Sequence, residues 1–236
     1  MSNPREHKKR LVERLKKSSL ESFHDYEVLE LLLTYSLKQK DVKPVAKSLL
    51  ERFKGLRGVF DAGVEDLREV TGVGENAAVL IGLVKGAAEQ YLKERVIGGD
   101  VIRNPDDVVR YLRLTLSNSR VEQFIAIYMN ARNEAIAVET LHVGTVNATV
   151  VYPRKAIELA FKHGARSVIF VHNHPSGNTA PSEPDRHLIM VLDRAAIAVD
   201  MLVHDHMIIG KDKFFSAREN GWVFGTHAFI RHAADN

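Results

Sequence analysis

Two histidines spaced two residues apart, with an aspartate shortly after them, are the residues of this sequence best suited to chemistry. His172 and His174 lie in V-H-N-H-P, directly after the apolar run S-V-I-F, and Asp185 follows in S-E-P-D. The apolar run predicts a buried strand, and residues i and i+2 of a strand point to the same face. Asp185 falls in the first turn of a predicted helix, from which its carboxylate can reach the same point. Two neutral imidazoles and one carboxylate suit Zn²⁺ and leave a fourth position for water.

The Ser-x-x-Asp part of this stretch also has a simpler explanation. Ser182 and Asp185 have the spacing of a capping box, in which two side chains cap the start of a helix. A cap does not explain the paired histidines, however. The sequence has no cysteine, so any metal must be bound by histidine, aspartate and glutamate. We therefore predict a site that holds one Zn²⁺ per chain.

The overall composition is typical of a soluble globular protein. Hydrophobic residues make up 45% of the 236 residues and charged residues 27%, and the net charge is +3. No apolar run approaches the roughly 20 residues that cross a membrane. The N-terminus has no apolar core of the kind found in a secretory signal. Because the lack of cysteine fits a reducing compartment, we expect a cytoplasmic protein with no membrane partner.

The hydrophobic periodicity changes along the chain. In the first part apolar residues recur at helical spacing, whereas β-rich runs alternate with helical ones in the second. We predict an α+β chain, with an all-helical domain over residues 1–95, a mixed α/β domain over residues 103–225 and a C-terminal tail over residues 226–236. The segment R-V-I-G-G-D-V-I-R-N-P-D-D between the two domains predicts a linker.

Residues 67–82 of the helical part resemble a helix–hairpin–helix motif. Gly72 and Gly74 allow a close approach of the backbone to a phosphate, and the next helix offers free N–H groups at its N-terminus. This predicts sequence-independent DNA binding through the N-terminal half, which the basic residues of segment 1–18 support. Glu75 departs from the motif. The alternatives are a glycine turn between packed helices and a solvated basic helix.

The stretch H-N-H-P-S-G-N-T-A-P-S-E-P-D resembles the motif of the JAMM/MPN metalloproteases. The flanking runs V-G-T-V-N-A-T-V-V-Y-P-R and H-D-H-M-I-I-G are similar to those of the bacterial RadC proteins, which carry a DNA-repair label. The resemblance implies an MPN domain, of the cytidine-deaminase-like type, with a curved mixed sheet flanked by helices. It also implies a zinc ion bound by His172, His174 and Asp185, with Ser182 aiding the oxyanion.

The resemblance further implies a glutamate on an early strand as the general base. The candidate is Glu122, which precedes Q-F-I-A-I-Y. The family spacing would instead place Gln123 in register with Ala126, and a slip of one residue turns a strand side chain to the other face. Glu139, on the predicted partner strand, is the reserve candidate.

A second histidine pair, His204 and His206, lies on a later predicted strand, separated by Asp205. One interpretation is that this pair orients a ligand imidazole from behind the metal. The other is a polar strand end whose hydrogen bonds are satisfied.

The function that follows from the resemblance is hydrolysis of peptide or isopeptide bonds by a metal-activated water, in a DNA-associated context of repair or recombination. One alternative is a non-catalytic DNA-binding accessory protein with a structural or vestigial metal site. Another is a metal-dependent nuclease, which a single metal ion disfavours because many nucleases use two. The physiological substrate is not specified by any residue.

Overall fold

The structure is a computed structural model that describes residues 4–37, 41–99, 105–117, 119–144, 151–222 and 224–225. The chain divides into two compact units, residues 1–88 and residues 89–236. The boundary lies within one long helix, so the units differ slightly from the predicted domains. The predicted tail, residues 226–236, lies outside the described residues.

The first unit is helical, as predicted. Its buried core includes Leu29, Leu33, Leu49 and Ile81. A short helix, which the sequence pattern does not predict, follows Gly55. The helices are α1 (Pro4–Lys17), α2 (Asp25–Ser36), α3 (Lys43–Phe53), α4 (Leu56–Asp61), α5 (Val64–Arg68) and α6 (Glu75–Val96), which continues into the second unit.

The second unit is an α/β domain built on a five-stranded sheet in the order β2-β1-β3-β4-β5. Strands β3 and β4 are parallel, and the other neighbours are antiparallel, which confirms the predicted α+β class with a mixed sheet. The elements are α7 (Pro105–Leu116), β1 (Glu122–Met129), β2 (Ala135–Gly144), α8 (Pro153–His163), β3 (Ser167–Asn173), α9 (Glu183–Ile197), β4 (Leu202–Ile209) and β5 (Phe214–Ser216).

The two faces of the sheet carry separate cores. Phe124, Ala126 and Tyr128 of β1 pack with α8 and α9 on one face. The alternate residues, Ile125 and Ile127, pack with α7 on the other. Strand side chains alternate between the faces, so the face on which a polar residue of β1, β3 or β4 lies decides what it can contact.

The predicted linker is partly ordered against the sheet. The Gly98 N–H donates to the Ala135 carbonyl at 2.7 Å, and the Ala135 N–H donates to the Gly99 carbonyl at 3.0 Å. These bonds cover one end of the β2 edge. Residues 100–104 of this segment lie outside the described residues. No helix in the described part of the chain is long and apolar enough to cross a membrane.

Candidate metal centre

Four side chains that can bind a metal meet where β1 begins, β3 ends and α9 begins. They are Glu122, His172, His174 and Asp185, and one ligand atom of each lies within 4.8 Å of those of the other three. This is the one such group of three or more within the ranges that the structure describes. The fold therefore brings the sequence-predicted ligands and the first candidate base together, in a cluster that could hold a metal ion.

The two imidazoles point their Nε2 atoms at the same place. These atoms are 2.9 Å apart, and they lie 3.2 Å (His172) and 3.4 Å (His174) from the Asp185 carboxylate oxygens. Ligand atoms on a tetrahedral Zn²⁺, with bonds of about 2.0–2.1 Å, are separated by about 3.3 Å. The two distances to Asp185, which go to different oxygens of its carboxylate, are close to that value, and the distance between the two Nε2 atoms is somewhat shorter. The cluster therefore has the size and the donor atoms that could hold one small cation.

His174 follows β3 directly and is held by backbone contacts. Its N–H donates to the Ile209 carbonyl at 3.0 Å, and its Nδ1 lies 2.6 Å from the Asn178 carbonyl oxygen. The loop returns past Gly210, where an added Cβ would lie 2.6 Å from the Gly177 carbonyl oxygen. Because only a glycine allows this approach, the loop passes close to β4 and returns to α9 beside the histidines.

Asp185 is both a cap and a member of the cluster. The Ser182 N–H and hydroxyl donate to its Oδ2 at 2.7 and 2.6 Å, and the Asp185 N–H donates back to the Ser182 hydroxyl at 3.3 Å. The capping box therefore forms and at the same time orients the carboxylate toward the imidazoles. The two explanations of Ser-x-x-Asp are not alternatives.

The charges in the cluster stabilise one another. Burial of the Asp185 carboxyl acts to raise its pKa, but hydrogen bonds from His172, His174 and Ser182 outweigh burial and hold the pKa well below its usual range. The hydrogen bond to Asp185 raises the pKa of His174 above its ordinary value, against the opposing effect of burial. Without a metal, His174 therefore holds a proton beside the Asp185 carboxylate more readily than an ordinary imidazole would.

Glu122, rather than Gln123, lies on the face of the metal cluster. Glu122 is 5% exposed and shares its face with Phe124, which pairs directly with His172. The buried side chain of Asn173 binds the backbone on both sides of Glu122. The Asn173 Oδ1 accepts from the Gln123 N–H at 2.8 Å, and the Asn173 Nδ2 donates to the Val121 carbonyl at 3.1 Å. Asn173 is thus a residue of the site that sequence reasoning missed, and its place between the two histidines is the signal that could have found it.

The reserve base, Glu139, lies elsewhere. It is opposite Ala126 on β2, four residues along β1 from Glu122, or about 13 Å at strand spacing. Its carboxylate contacts the His163 Nε2 atom at 2.7 Å, and it is outside the metal cluster. The structure therefore places Glu122, and not Glu139, beside the two histidines.

The second histidine pair is divided between the two faces of the sheet. The buried His206 lies behind His172, with its Nε2 atom 2.9 Å from His172 Nδ1. Burial, together with the charge of nearby His172, lowers the pKa of His206 well below its ordinary value. His204 instead contacts the Asn133 side chain and, with Phe214, lines a cavity of about 480 Å³ on the α7 side.

The glycines of the predicted hairpin have different structural roles. Gly72 has a φ of +93°, and an added Cβ would lie 2.8 Å from the Val45 Cγ2 atom of α3. Gly74 has open space around its Cα, and its carbonyl accepts the first hydrogen bonds of α6. Gly72 is thus explained by packing within the helical unit, whereas Gly74 is unconstrained by neighbours.

Comparison with known proteins agrees with the fold and gives the family of the chain. Residues 102–222 match the RadC-like JAB domain family and residues 4–79 match the UPF0758 N-terminal family. The chain is 37% identical to a UPF0758 protein of Ruegeria pomeroyi, covering 93% of this chain and 98% of the relative. It is 34% identical to a UPF0758 protein of Fusobacterium nucleatum (92% and 97%) and 36% identical to one of Geobacillus kaustophilus (89% and 93%). The chain therefore belongs to the UPF0758 family of proteins with a RadC-like JAB domain.

Proposed function

We propose that this chain is a zinc-dependent hydrolase that cleaves peptide or isopeptide bonds with a metal-activated water. The observation that carries the proposal is the convergence of two imidazoles, one carboxylate of α9 and the glutamate of β1 at one point. Three ligands and a nearby carboxylate are the parts that a catalytic zinc site needs, because the fourth position stays open for water. The resemblance to the JAMM metalloproteases supports the same reaction.

The contacts of His174 suit metal binding. Its Nδ1 faces a carbonyl oxygen, which can only accept a hydrogen bond, so Nδ1 keeps a proton and Nε2 is the atom that can act as a ligand once it gives up any proton of its own. The Asp185 carboxylate is kept ionised by the donors around it. A bound Zn²⁺ would lower the pKa of its water toward neutrality and polarise the scissile carbonyl.

Glu122 is the general base of the proposed reaction. From the start of β1 its carboxylate can accept a proton from the attacking water and deliver it to the leaving amine. The Asn173 side chain fixes the backbone on both sides of Glu122. Ser182 is the proposed oxyanion donor, and its hydroxyl would have to exchange its present bond to Asp185 for one to the substrate oxygen.

The first experiment is to measure the metal content of purified protein by elemental mass spectrometry, in the wild type and in His172→Ala and Asp185→Ala. We expect about one zinc per chain in the wild type and loss of zinc in both variants, as three ligands make the site. The matched control is His187→Ala, an exposed histidine on the same helix as Asp185, which should keep its zinc. A well-folded wild type that binds no zinc after incubation with Zn²⁺ would overturn the proposal.

Activity distinguishes amide from phosphodiester hydrolysis. The zinc-loaded wild type is incubated with a peptide library, an isopeptide-linked substrate and single- and double-stranded DNA, beside Glu122→Gln and His174→Ala. We expect cleavage of an amide bond that both variants lose. Cleavage of DNA that depends on His174, without amide cleavage, would support the nuclease instead.

Association with DNA through the helical unit stays a prediction. Supporting it are the hairpin glycines, one of which is sterically free. Against it, exposed Glu75 begins α6, and Arg52 is paired with Glu69 near the hairpin. The test is salt-dependent binding to random duplex. Weaker binding in a well-folded Gly74→Ala variant would support the hairpin, whereas no measurable binding at low salt would exclude it.

A further inference from the structure

A buried imidazole behind the metal cluster has a proton arrangement that matters for metal binding. His206 is 1% exposed, and its Nε2 atom is 2.9 Å from His172 Nδ1. The rings of Phe124 and Trp222 also contact it, with centroids 6.1 and 6.4 Å away. Among the described residues, His206 Nδ1 is buried without a hydrogen-bond partner. The one polar contact of this ring is therefore with a proposed metal ligand.

The contact permits only one arrangement when a metal is bound. Nε2 of His172 must present a lone pair to the ion, so the proton of this neutral ring must be on Nδ1. That N–H points at His206 Nε2, which must accept it, and the proton of a neutral His206 must then be on Nδ1. In the opposite arrangement His206 would donate, and the proton of His172 would block the metal position.

We propose that His206 is a positioning residue that accepts the Nδ1–H of His172 and thereby holds that ring in its metal-binding tautomer. This rests on the proposed function, because it concerns the same site. Ligand imidazoles usually donate to a carboxylate, a carbonyl or water, and His174 follows that rule with the Asn178 carbonyl. His172 differs, because its acceptor is a neutral ring that can hold the proton on either nitrogen.

A bulge in β4 places His206 on the correct face. Val168 pairs with Val203 and Ile169 with Asp205, so His204 is an extra residue in the strand. In a regular strand, His206 would face the side opposite to Val203, because the two residues are three apart. The bulge changes the direction of the side chains that follow it, so that His206 faces the same side as Val203.

The carboxylate of Asp205 stabilises the backbone at this bulge. It accepts hydrogen bonds from the His206 N–H at 2.7 Å, from the Ser216 hydroxyl at 2.6 Å and from the Arg218 N–H at 2.9 Å. These hydrogen bonds hold the backbone that carries His206, and Asp205 is not a member of the metal cluster itself.

The test compares two substitutions of similar size. His206→Leu removes the acceptor, whereas His206→Gln keeps an amide oxygen near the position of Nε2. Zinc affinity is measured by chelator competition, and the His172 Nδ1–H is observed by ¹⁵N-resolved NMR of the zinc-loaded protein. His204→Leu is the control, since this histidine lies on the same strand but on the far face of the sheet.

We expect His206→Leu to weaken zinc binding by about 10–100-fold and to lose the protected Nδ1–H signal, as for other partners of ligand histidines. His206→Gln should stay within about threefold of the wild type, and so should His204→Leu. The melting temperature of the metal-free protein should change little, because each protein leaves one buried ring nitrogen without a partner. In the wild type this is His206 Nδ1, and in the Leu variant it would be His172 Nδ1. If the role of His206 were purely structural, His206→Leu would lower the zinc affinity and the melting temperature of the metal-free protein together.

The outcomes separate this inference from the function on which it rests. A wild type that binds zinc while His206→Leu binds it equally well, with the same Nδ1–H signal, would overturn the inference and leave the hydrolase intact. If His206→Leu does not fold, failure of the folded His206→Gln variant to retain the Nδ1–H signal would overturn it. A wild type that binds no zinc would overturn both the inference about His206 and the proposed hydrolase function.

Discussion

Zinc and a proton should compete for His174. The hydrogen bond to Asp185 raises the pKa of His174 above its ordinary value, so at a given pH the metal-free protein holds more of a proton there than an ordinary imidazole would, and zinc must displace that proton. An imidazole with a pKa of 6.5 would release only about a quarter of a proton at pH 7.0. We therefore expect the zinc-bound protein to have released clearly more than a quarter of a proton per zinc.

The assay is calorimetric titration with Zn²⁺ in buffers of different ionisation enthalpy, from which the number of released protons is obtained. The count should fall as the pH is raised through the pKa of His174. A proton lost from a water on the metal would give the opposite trend, because that release grows with pH. His187→Ala, on the exposed side of α9, should give the wild-type count.

The same proton has a consequence for the metal-free protein. A histidine whose pKa is raised by folding contributes stability that is fully present below pH 6.5 and is lost as the pH rises through the folded pKa. In that window the free energy of unfolding should fall by at most about 1.4 kcal/mol per pH unit. A count of about a quarter of a proton or less at pH 7.0, together with a free energy of unfolding that does not change with pH, would refute the reasoning that Asp185 raises the pKa of His174.

Three further predictions concern single substitutions. Gly72→Ala should lower the free energy of unfolding, obtained by urea titration, by about 2–4 kcal/mol, because the new side chain would meet both a positive φ and a clash. Gly74→Ala should change this free energy by about 0.5 kcal/mol or less. Equal effects of the two substitutions would contradict the packing explanation. Ser182→Ala should destabilise the protein by about 0.5–2 kcal/mol through the lost cap and should also raise the dissociation constant for zinc, because Asp185 loses a donor. Glu122→Gln should keep its zinc but lower turnover by about 10²–10⁴-fold, and full activity would exclude Glu122 as the base.

Several features of the fold and site were accessible from sequence because they are local. The mixed α/β second half, the histidine pair at a strand end and the capping box at Ser182 each depend on residues close together in the chain. The short helix α4 was missed because Gly55 and Gly58 indicate a helix end, although the chain turns at Gly55 and becomes helical again. The ordered pairing of the linker with Ala135 was missed because it depends on a distant strand.

The sequence by itself determined that His172, His174 and Asp185 could face one point, because strand spacing and the first turn of a helix fix those directions without reference to the rest of the fold. Only the tertiary structure decided that Glu122 joins them and that His206 lies behind them. The first depends on the pairing of Phe124 with His172 across β1 and β3, and the second on a bulge in β4. Strand pairing and bulges are set by contacts between distant segments, and a shift of one residue reverses the face of every side chain.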